Sequence, residues 1–380
     1  MKIIHMSDLH LGKRISEISM LEDQRYILEE ILQIIRREDP DAVIIAGDIY
    51  DRSMPPEEAV ALFDEFLSRL SQGRQQTMII SGNHDSAQRI AFGARLMEGS
   101  GIHISRVYRG PREPVALSDE YGPVYFWLLP FIKPVHVRRF HPELAADSDQ
   151  YTEALRAAVQ ELDTDYSKRN VLVCHQFVTG AARSDSEEVS VGGLDNVDAS
   201  VFQDFDYTAL GHIHRPQTLG GGRIRYSGTP LKYSFSEAGD QKSLTRVILR
   251  EKGDVEITEI PLTPLRDMRE IRGSFASLTS MSYYKGTAAD DYLHVTLTDE
   301  EYVPDAIGKM RSIYPNIMKL DYDNKRTGSS AEIEEPADAE DRTPLDLLDE
   351  LYETQNGQPM GGEQRKLASD LIEEIWGKEL

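Results

Sequence analysis

The sequence has one cysteine, Cys174, in 380 residues, so no intrachain disulfide framework can form. It contains no run of about 18 consecutive apolar residues, which excludes an ordinary transmembrane helix. The opening MKIIHMSDLHLG has Asp and His where a small-residue cleavage site would sit, so it does not read as a signal peptide. The expected compartment is the cytoplasm. No Gly-x4-Gly-Lys-Ser/Thr loop occurs, so ATP hydrolysis would fall to a partner. Positive charge is also scarce: 42 Lys and Arg face 65 Asp and Glu, for a net charge of -23. That balance disfavours a polyanionic partner, whose binding is driven by Lys and Arg. The charge is uneven, however. Residues 331–380 hold 15 acidic and 4 basic residues, a net of -11, and the other 330 residues carry the remaining -12. A carboxylate cluster that captures divalent cations also reads as negative until the metal is counted.

What is present is an alternation of apolar runs and amphipathic stretches. KIIHM reads as a short strand running into SDLHLG. Residues 21–37 place Leu21, Leu28, Ile31, Leu32 and Ile35 at helical steps, and Asp39-Pro40 stops that helix. DAVIIAGD is a continuous apolar strand of the kind covered on both faces. A helix over PEEAVALFDEFLSRL follows, with Pro56 near its first turn, and TMIISGNHD repeats the strand-into-loop pattern. The alternation predicts an α/β layered fold. VYFWLLP, NVLVCHQF and FDYTALGHIH read as further strands ending in polar clusters, and residues 223–263 turn to strands and turns. PLTPLRDM marks a boundary. Residues 293–322 read as strand, helix, strand, and residues 324–342 as a polar, acidic, disordered linker. Two amphipathic helices follow, the first with Thr343 as N-cap and Pro344 at its first position.

The predicted strand ends carry metal-ligand chemistry. Asp8 and His10 stand in SDLH, Asp48 and Asp51 in GDIYD, and Asn83, His84 and Asp85 in GNHD; His175, His212 and His214 follow two later strands. In α/β sheets, ligands gather beyond the carboxyl ends of strands. In an extended segment residues i and i+2 point to one side, so Asp8 with His10, and His212 with His214, are expected each to aim two groups at one spot. Carboxylate oxygen with imidazole nitrogen suits Mn²⁺, Fe, Zn²⁺ or Co²⁺. The ligands outnumber the needs of one ion, so two ions about 3.5–4 Å apart are expected. Asp48 is the expected bridge, with Gly47 and Gly82 letting the backbone turn beside the metals.

DLH, GDIYD, SGNHD, CHQF and GHIH, in this order, resemble the calcineurin-like metallophosphoesterase superfamily. SGNHDSAQRIAFG, VGGLDNVDASVFQDFDYTALGHIHRPQ and YSGTPLKYSFSE narrow the resemblance to the SbcD family of bacterial nuclease subunits, relatives of the Mre nucleases. The resemblance implies an α/β fold: a four-layer metallophosphoesterase β-sandwich flanked by helices, with a small α/β capping domain and C-terminal helices. The expected segments are a nuclease domain over 1–265, the capping domain over 266–323, the linker over 324–342 and a helical partner-binding segment over 343–380. Carried over, the resemblance implies that Asp8, His10, Asp48 and His214 bind one metal and Asp48, Asn83, His175 and His212 the other. Mn²⁺ is the family's ion. His84 would lie beside the site and assist the departing oxygen. Asp51 departs from the pattern, since archaeal and eukaryotic relatives have a histidine there, so Asp51 is expected to orient ligands instead; Asp85 is read in the same role, and turn formation alone accounts for either residue equally well.

The resemblance further implies two-metal hydrolysis of DNA phosphodiesters: 3′ to 5′ double-strand exonuclease and single-strand or hairpin endonuclease activity in replication, recombination and repair. The implied partner is SbcC, an ATPase with a long coiled coil, bound through the C-terminal helices, with a homodimer of this chain inside a heterotetramer and no membrane contact. A phosphoesterase acting on small nucleotides or cyclic nucleotides shares the same ligands; the small module and terminal helices argue against it.

Other polar residues have plainer readings. His5 lies inside the first strand and reads as a core residue, while His103, His136, His141 and His294 read as surface or structural. Cys174 is expected to face away from His175 as a buried hydrophobe. Lys13, Arg14, Arg89, Arg183 and Arg215 lie near the ligands in sequence, and contact with DNA phosphates or ordinary surface charge accounts for them equally. The loop 179–198 either covers the site or is only a surface loop.

Overall fold

The computed structural model describes residues 1–380 apart from 111, 143, 145–149, 188–194, 325–343, 357 and 377–380. The expected linker (except residue 324), Thr343 and the centre of the loop 179–198 therefore lie outside the described residues.

Two six-stranded sheets carry the larger unit, Met1–Met268. The first runs, edge to edge, Val255–Pro261, Ser243–Leu249, Lys2–Met6, Ala42–Ala46, Gln76–Ile80 and Ile102–Ile104. The last four of these are parallel, and Ser243–Leu249 pairs antiparallel with both its neighbours. The second runs Gln217–Leu219, Ile224–Tyr226, Tyr207–Gly211, Arg169–His175, Gly122–Leu128 and Val115–Asp119, parallel except at its two edges.

The central strands Ala42–Ala46 and Tyr207–Gly211 are buried throughout because both faces are covered. Ile3, Ile44, Met78 and Val247 of the first sheet pack with Phe126, Val171, Val173 and Ala209 of the second, forming the core between them. Alternate residues Ile4, Val43, Ile45 and Ile79 face the other way and are also buried. The connecting helices Leu21–Glu38 and Glu57–Leu70, whose buried stripes include Ile31, Ile35, Leu62 and Phe66, cover that outer face, since the second sheet covers the inner one. The outer face of the second sheet, including Trp127, Leu172, Cys174 and Leu210, packs with Leu155, Ala158 and Val159 of helix Gln150–Gln160. The result is helix, sheet, sheet, helix. The helix Gln150–Gln160 and the short edge strands Ile102–Ile104 and Val115–Asp119 add to the elements read from sequence.

The smaller unit spans Arg269–Leu380. Its three-stranded sheet orders Met268–Gly273, Tyr292–Leu297 and Ile317–Tyr322, the last two parallel, over a core of Leu278, Leu293, Val295, Met310 and Ile317. The strand Met268–Gly273 joins the strand, helix and strand legible in sequence. Helices Pro344–Asn356 and Gly362–Trp376 meet through Arg365 and Asp349, 2.8 Å apart. None of the helices among the described residues is long and apolar enough to cross a membrane.

Candidate metal centre

Parallel strands of both sheets end at one rim, and the turns beyond them converge. Asp8 and His10 follow Lys2–Met6, Asp48 follows Ala42–Ala46, and Asn83, His84 and Asp85 follow Gln76–Ile80. His175 closes Arg169–His175, and His212 and His214 follow Tyr207–Gly211. The pairs are not aimed by strand alternation, as the i, i+2 spacing suggested. Both lie past the strands, and Asp8, His10, Asp48 and His212 have φ values of 55°, 45°, 48° and 102°. Positive φ costs a non-glycine residue about 1–3 kcal/mol, and such strain concentrates at functional sites. Gly47, at φ 89°, does make a turn that a side chain would strain. Gly82 serves a different need: a Cβ there would fall 2.1 Å from Asp48 Oδ1.

Two clusters share Asp48. In one, His10 Nε2 lies 3.1 Å from His214 Nε2 and 3.7 Å from Asp48 Oδ2, and Asp8 closes the group. In the other, Asn83 Oδ1 lies 3.0 Å from His175 Nε2 and 2.9 Å from His212 Nδ1, with Asp48 Oδ2 3.3 Å from His175 Nε2. His212 and His214 thus sit in different clusters. His84 stands at the edge of both: its Nδ1 is 3.0 Å from the Asp51 carbonyl and its Nε2 4.0 Å from Asp48 Oδ2.

A surrounding set of hydrogen bonds fixes these groups. His175 Nδ1 donates to the Ala46 carbonyl at 2.8 Å, turning Nε2 to the site. His214 Nδ1 meets Ser186 Oγ at 2.5 Å, and Ser186 in turn donates to the buried Glu237 carboxylate. Lys242 Nζ binds Glu237 at 2.6 Å and the His214 carbonyl at 2.9 Å, while the His214 N–H donates to Glu187 at 2.7 Å. The described start of the loop 179–198 therefore reaches the site. Gln24 Nε2 donates to the His10 carbonyl at 2.7 Å and Tyr233 Oη to the Leu9 carbonyl at 2.6 Å. Asp85 accepts from the N–H groups of Ile49, Tyr50 and Gly82 at 2.9–3.1 Å, joining two of the turns. Asp51 binds Lys13 at 2.7 Å and lies 3.6 Å from His10 Nδ1. Glu237, Lys242, Ser186, Glu187, Gln24 and Tyr233 were not singled out from sequence; each is an isolated polar residue without ligand spacing.

The electrostatics suit a bound cation. Burial raises Asp8 to about 6, with the Asp48 charge adding to the shift, and burial with Asp48 does the same for Asp85. Burial opposes the charge on Asp48 as well, but His175 and His10 hold it well below the usual carboxylate range. His175 is raised to about 9 because Asp48 outweighs its burial, while burial lowers His212 to about 3 and holds His10 well below its ordinary value. His10 Nδ1 is buried without a hydrogen-bond partner. The facing His10 and His214 nitrogens require either a proton on one of them or a cation shared by both. Buried carboxylate, imidazole and amide donors that converge in this way fit two divalent metal ions with a common Asp48, each offered Asp or Asn oxygen together with His nitrogen.

The remaining candidates fall elsewhere. His5 is buried against the Tyr207 hydroxyl at 2.8 Å. His103 binds Gln76, His141 binds Glu161 and His294 binds Glu270 and Asp321. Cys174 faces the outer core, and burial raises its thiol to about 12. Lys13, Arg183 and Arg215 pair with Asp51, Asp195 and Asp240 at 2.7, 3.2 and 2.9 Å.

The profile of the calcineurin-like phosphoesterases matches residues 1–216, and that of the type 5 capsule protein repressor C-terminal domain matches residues 264–356. Over 386 aligned residues, covering the whole of both chains, the sequence is 31% identical to the SbcD component of nuclease SbcCD from Staphylococcus epidermidis. A dimetal phosphatase from Danio rerio superposes with a TM-score of 0.40 at 12% identity, covering 70% of this chain and 98% of that one.

Proposed function

The chain belongs to the calcineurin-like phosphoesterases and, by its full-length identity, to their SbcD nuclease branch, and on that premise we propose that it is the nuclease subunit of an ATP-dependent SbcCD-type complex. Its reaction is hydrolysis of DNA phosphodiesters: 3′ to 5′ exonuclease action on duplex ends and endonuclease action on hairpins and single strands. The observation that carries this reading is the convergence of seven ligand-type side chains from five strand ends of both sheets around Asp48.

Asp8, His10, Asp48 and His214 would hold one divalent ion and Asp48, Asn83, His175 and His212 the other, with Mn²⁺ the ion expected. When bound, the pair supplies charge neutralisation of the diester and a water nucleophile at neutral pH. The chain's own residues do the rest. Ser186, Glu237 and the Ala46 carbonyl hold the imidazole tautomers, so that Nε2 of His214 and of His175 faces inward. His84 Nδ1 is held by the Asp51 carbonyl, which leaves Nε2 turned to the site, 4.0 Å from Asp48 Oδ2. His84 Nε2 is thus the side-chain atom placed to meet the leaving oxygen.

SbcC is the proposed partner of the terminal helices, where Leu348, Leu351, Leu367 and Leu371 are exposed. The proposed homodimer has an apolar surface available at Met54, Phe92 and Leu96, which are 72%, 83% and 86% exposed on elements joined by the Arg89 to Ser53 hydrogen bond. The test is Mn²⁺-dependent cleavage of a hairpin oligonucleotide, with and without SbcC and ATP, beside bis(4-nitrophenyl) phosphate. Hydrolysis of the small diester without any cleavage of the oligonucleotide would point to a small-nucleotide phosphoesterase instead.

A further inference from the structure

The chain's acidity leaves open how it meets a polyanion, and the arginines and lysine near the ligands in sequence are largely spent on carboxylates. One cleft is different. The strand Ile102–Ile104 pairs in parallel with Gln76–Ile80, so the chain leaves it at Ser105 on the same rim as Asn83 and His84. Gly122–Leu128 is parallel to Arg169–His175, so Leu128 ends on that rim as well. Val115, paired antiparallel with Phe126, starts there. Between these elements lies a cleft of about 820 Å³ whose lining includes Arg106, Arg109 and Arg112 together with Glu98 and Glu113.

The cleft lies on the rim that carries the metal centre, and Leu128 is part of its lining. The loop after Leu128 carries Phe131, whose N–H donates to Ser81 at 2.9 Å and whose ring stacks 6.5 Å from His212. Neighbouring strands are about 4.8 Å apart, while successive phosphates of one nucleic-acid strand rise about 3.4 Å. A strand cut at the centre would therefore bring its next few phosphates to these arginines.

The charge is available. Arg106 and Arg109 are exposed, and Arg106 has only Glu98 at 3.5 Å. Among the described residues no ion pair engages Arg109 or Arg112. Arg112 is held over the Tyr108 ring, 5.8 Å from its centroid, by its bond to the Arg106 carbonyl at 2.9 Å. Its Nε is buried with no hydrogen-bond partner. Burial lowers Arg112 only to about 10, so it remains charged at neutral pH. A partly buried guanidinium that is held in place and has no carboxylate partner among the described residues suits a phosphate oxygen.

We infer that this arginine cleft seats the sugar-phosphate backbone of the nucleic-acid strand beside the scissile bond. The inference rests on the nuclease reading and gives it a path. Contacts of this kind position the substrate and confer no sequence preference.

The test compares the parent chain with Arg106→Gln/Arg109→Gln, both exposed, and with a triple variant that adds Arg112→Gln. Binding of a phosphorothioate single-stranded oligonucleotide is measured with Mn²⁺ between about 50 and 200 mM salt. The slope of log affinity against log salt is expected to fall by about 1.4 in the double variant and about 2 in the triple, at about 0.7 per contact with a single strand. Cleavage of the unmodified oligonucleotide at high salt should drop at least about tenfold, while bis(4-nitrophenyl) phosphate is hydrolysed as by the parent. An unchanged slope in the double variant would overturn the inference, and so would an equal loss on the small diester. If the parent itself neither binds nor cuts the oligonucleotide, it is the nuclease reading that fails.

Discussion

Replacing Glu237 by Gln removes the negative end of the chain of contacts behind His214. In the folded protein Glu237 is fully buried and binds Lys242 at 2.6 Å, with Ser184 at 3.2 Å and Ser186 also donating to it. Burial opposes its charge, yet His214 and Lys242 hold the carboxyl well below its ordinary pKa. Gln leaves the Lys242 ammonium, itself only 4% exposed, with the His214 carbonyl at 2.9 Å and Asp240 at 4.0 Å. Breaking a buried pair costs about 3–5 kcal/mol, and the residual partners place this case near about 3 kcal/mol. For a unit of this size that lowers the melting temperature by about 6–12 °C. The double variant Glu237→Gln/Lys242→Met, which leaves no stranded charge, should recover most of the loss. Metal affinity is a second readout, because Ser186 loses its anionic acceptor and His214 its fixed tautomer; a fall of about 10–100-fold is expected. Thermal melts with chelator report the first effect and Mn²⁺ titration the second. If Glu237→Gln melts within about 2 °C of the parent and binds Mn²⁺ equally, the network does not hold the site.

Other perturbations separate further parts of the account. His84→Ala should bind Mn²⁺ as the parent does and lose cleavage; full hydrolytic rate in this variant would remove His84 from the mechanism. Gly82→Ala drives a Cβ to 2.1 Å from Asp48 Oδ1 and 2.4 Å from the Asp48 nitrogen, so Mn²⁺ binding should be lost, and retained stoichiometric binding would contradict that geometry. His5, with its pKa lowered to about 3 by burial, takes up a proton in the unfolded chain near pH 6.5 but not in the folded one. Stability is therefore lost as pH falls from 6.5 toward 3, by about 2 kcal/mol at pH 5, and His5→Gln should flatten that part of the melting profile. Deleting residues 343–380 should abolish co-purification with SbcC and spare metal binding; equal recovery of SbcC would contradict the assigned partner surface.

The candidate ligand positions were legible because DLH, GDIYD, GNHD and GHIH are contiguous clusters that begin where apolar runs stop, and the parallel order of the strands brings such ends to one rim. The means of aiming them was not legible. Period-two alternation describes a strand, whereas Asp8, His10, Asp48 and His212 are set by left-handed backbone that only the assembled turns enforce. Glu237 and Lys242 escaped notice because neither stands in a cluster with metal-ligand spacing, and they meet His214 only through the fold of the segment between them. The arginine cleft was hidden for the same reason: Arg106, Arg109 and Arg112 flank short edge strands whose weak apolar patterns gave no strand reading, and the net charge pointed away from them. Of the two prolines in PLTPLRDM, Pro261 closes the strand Val255–Pro261 and Pro264 lies in the segment leading to Met268–Gly273.

The most direct measurement is the metal content of the full chain after Mn²⁺ loading and removal of free ion, beside that of Asp48→Ala. Two ions per parent chain, and neither retained tightly once Asp48 is gone, is the predicted result. One ion or none in the parent, or two in the variant, would contradict the shared-carboxylate centre.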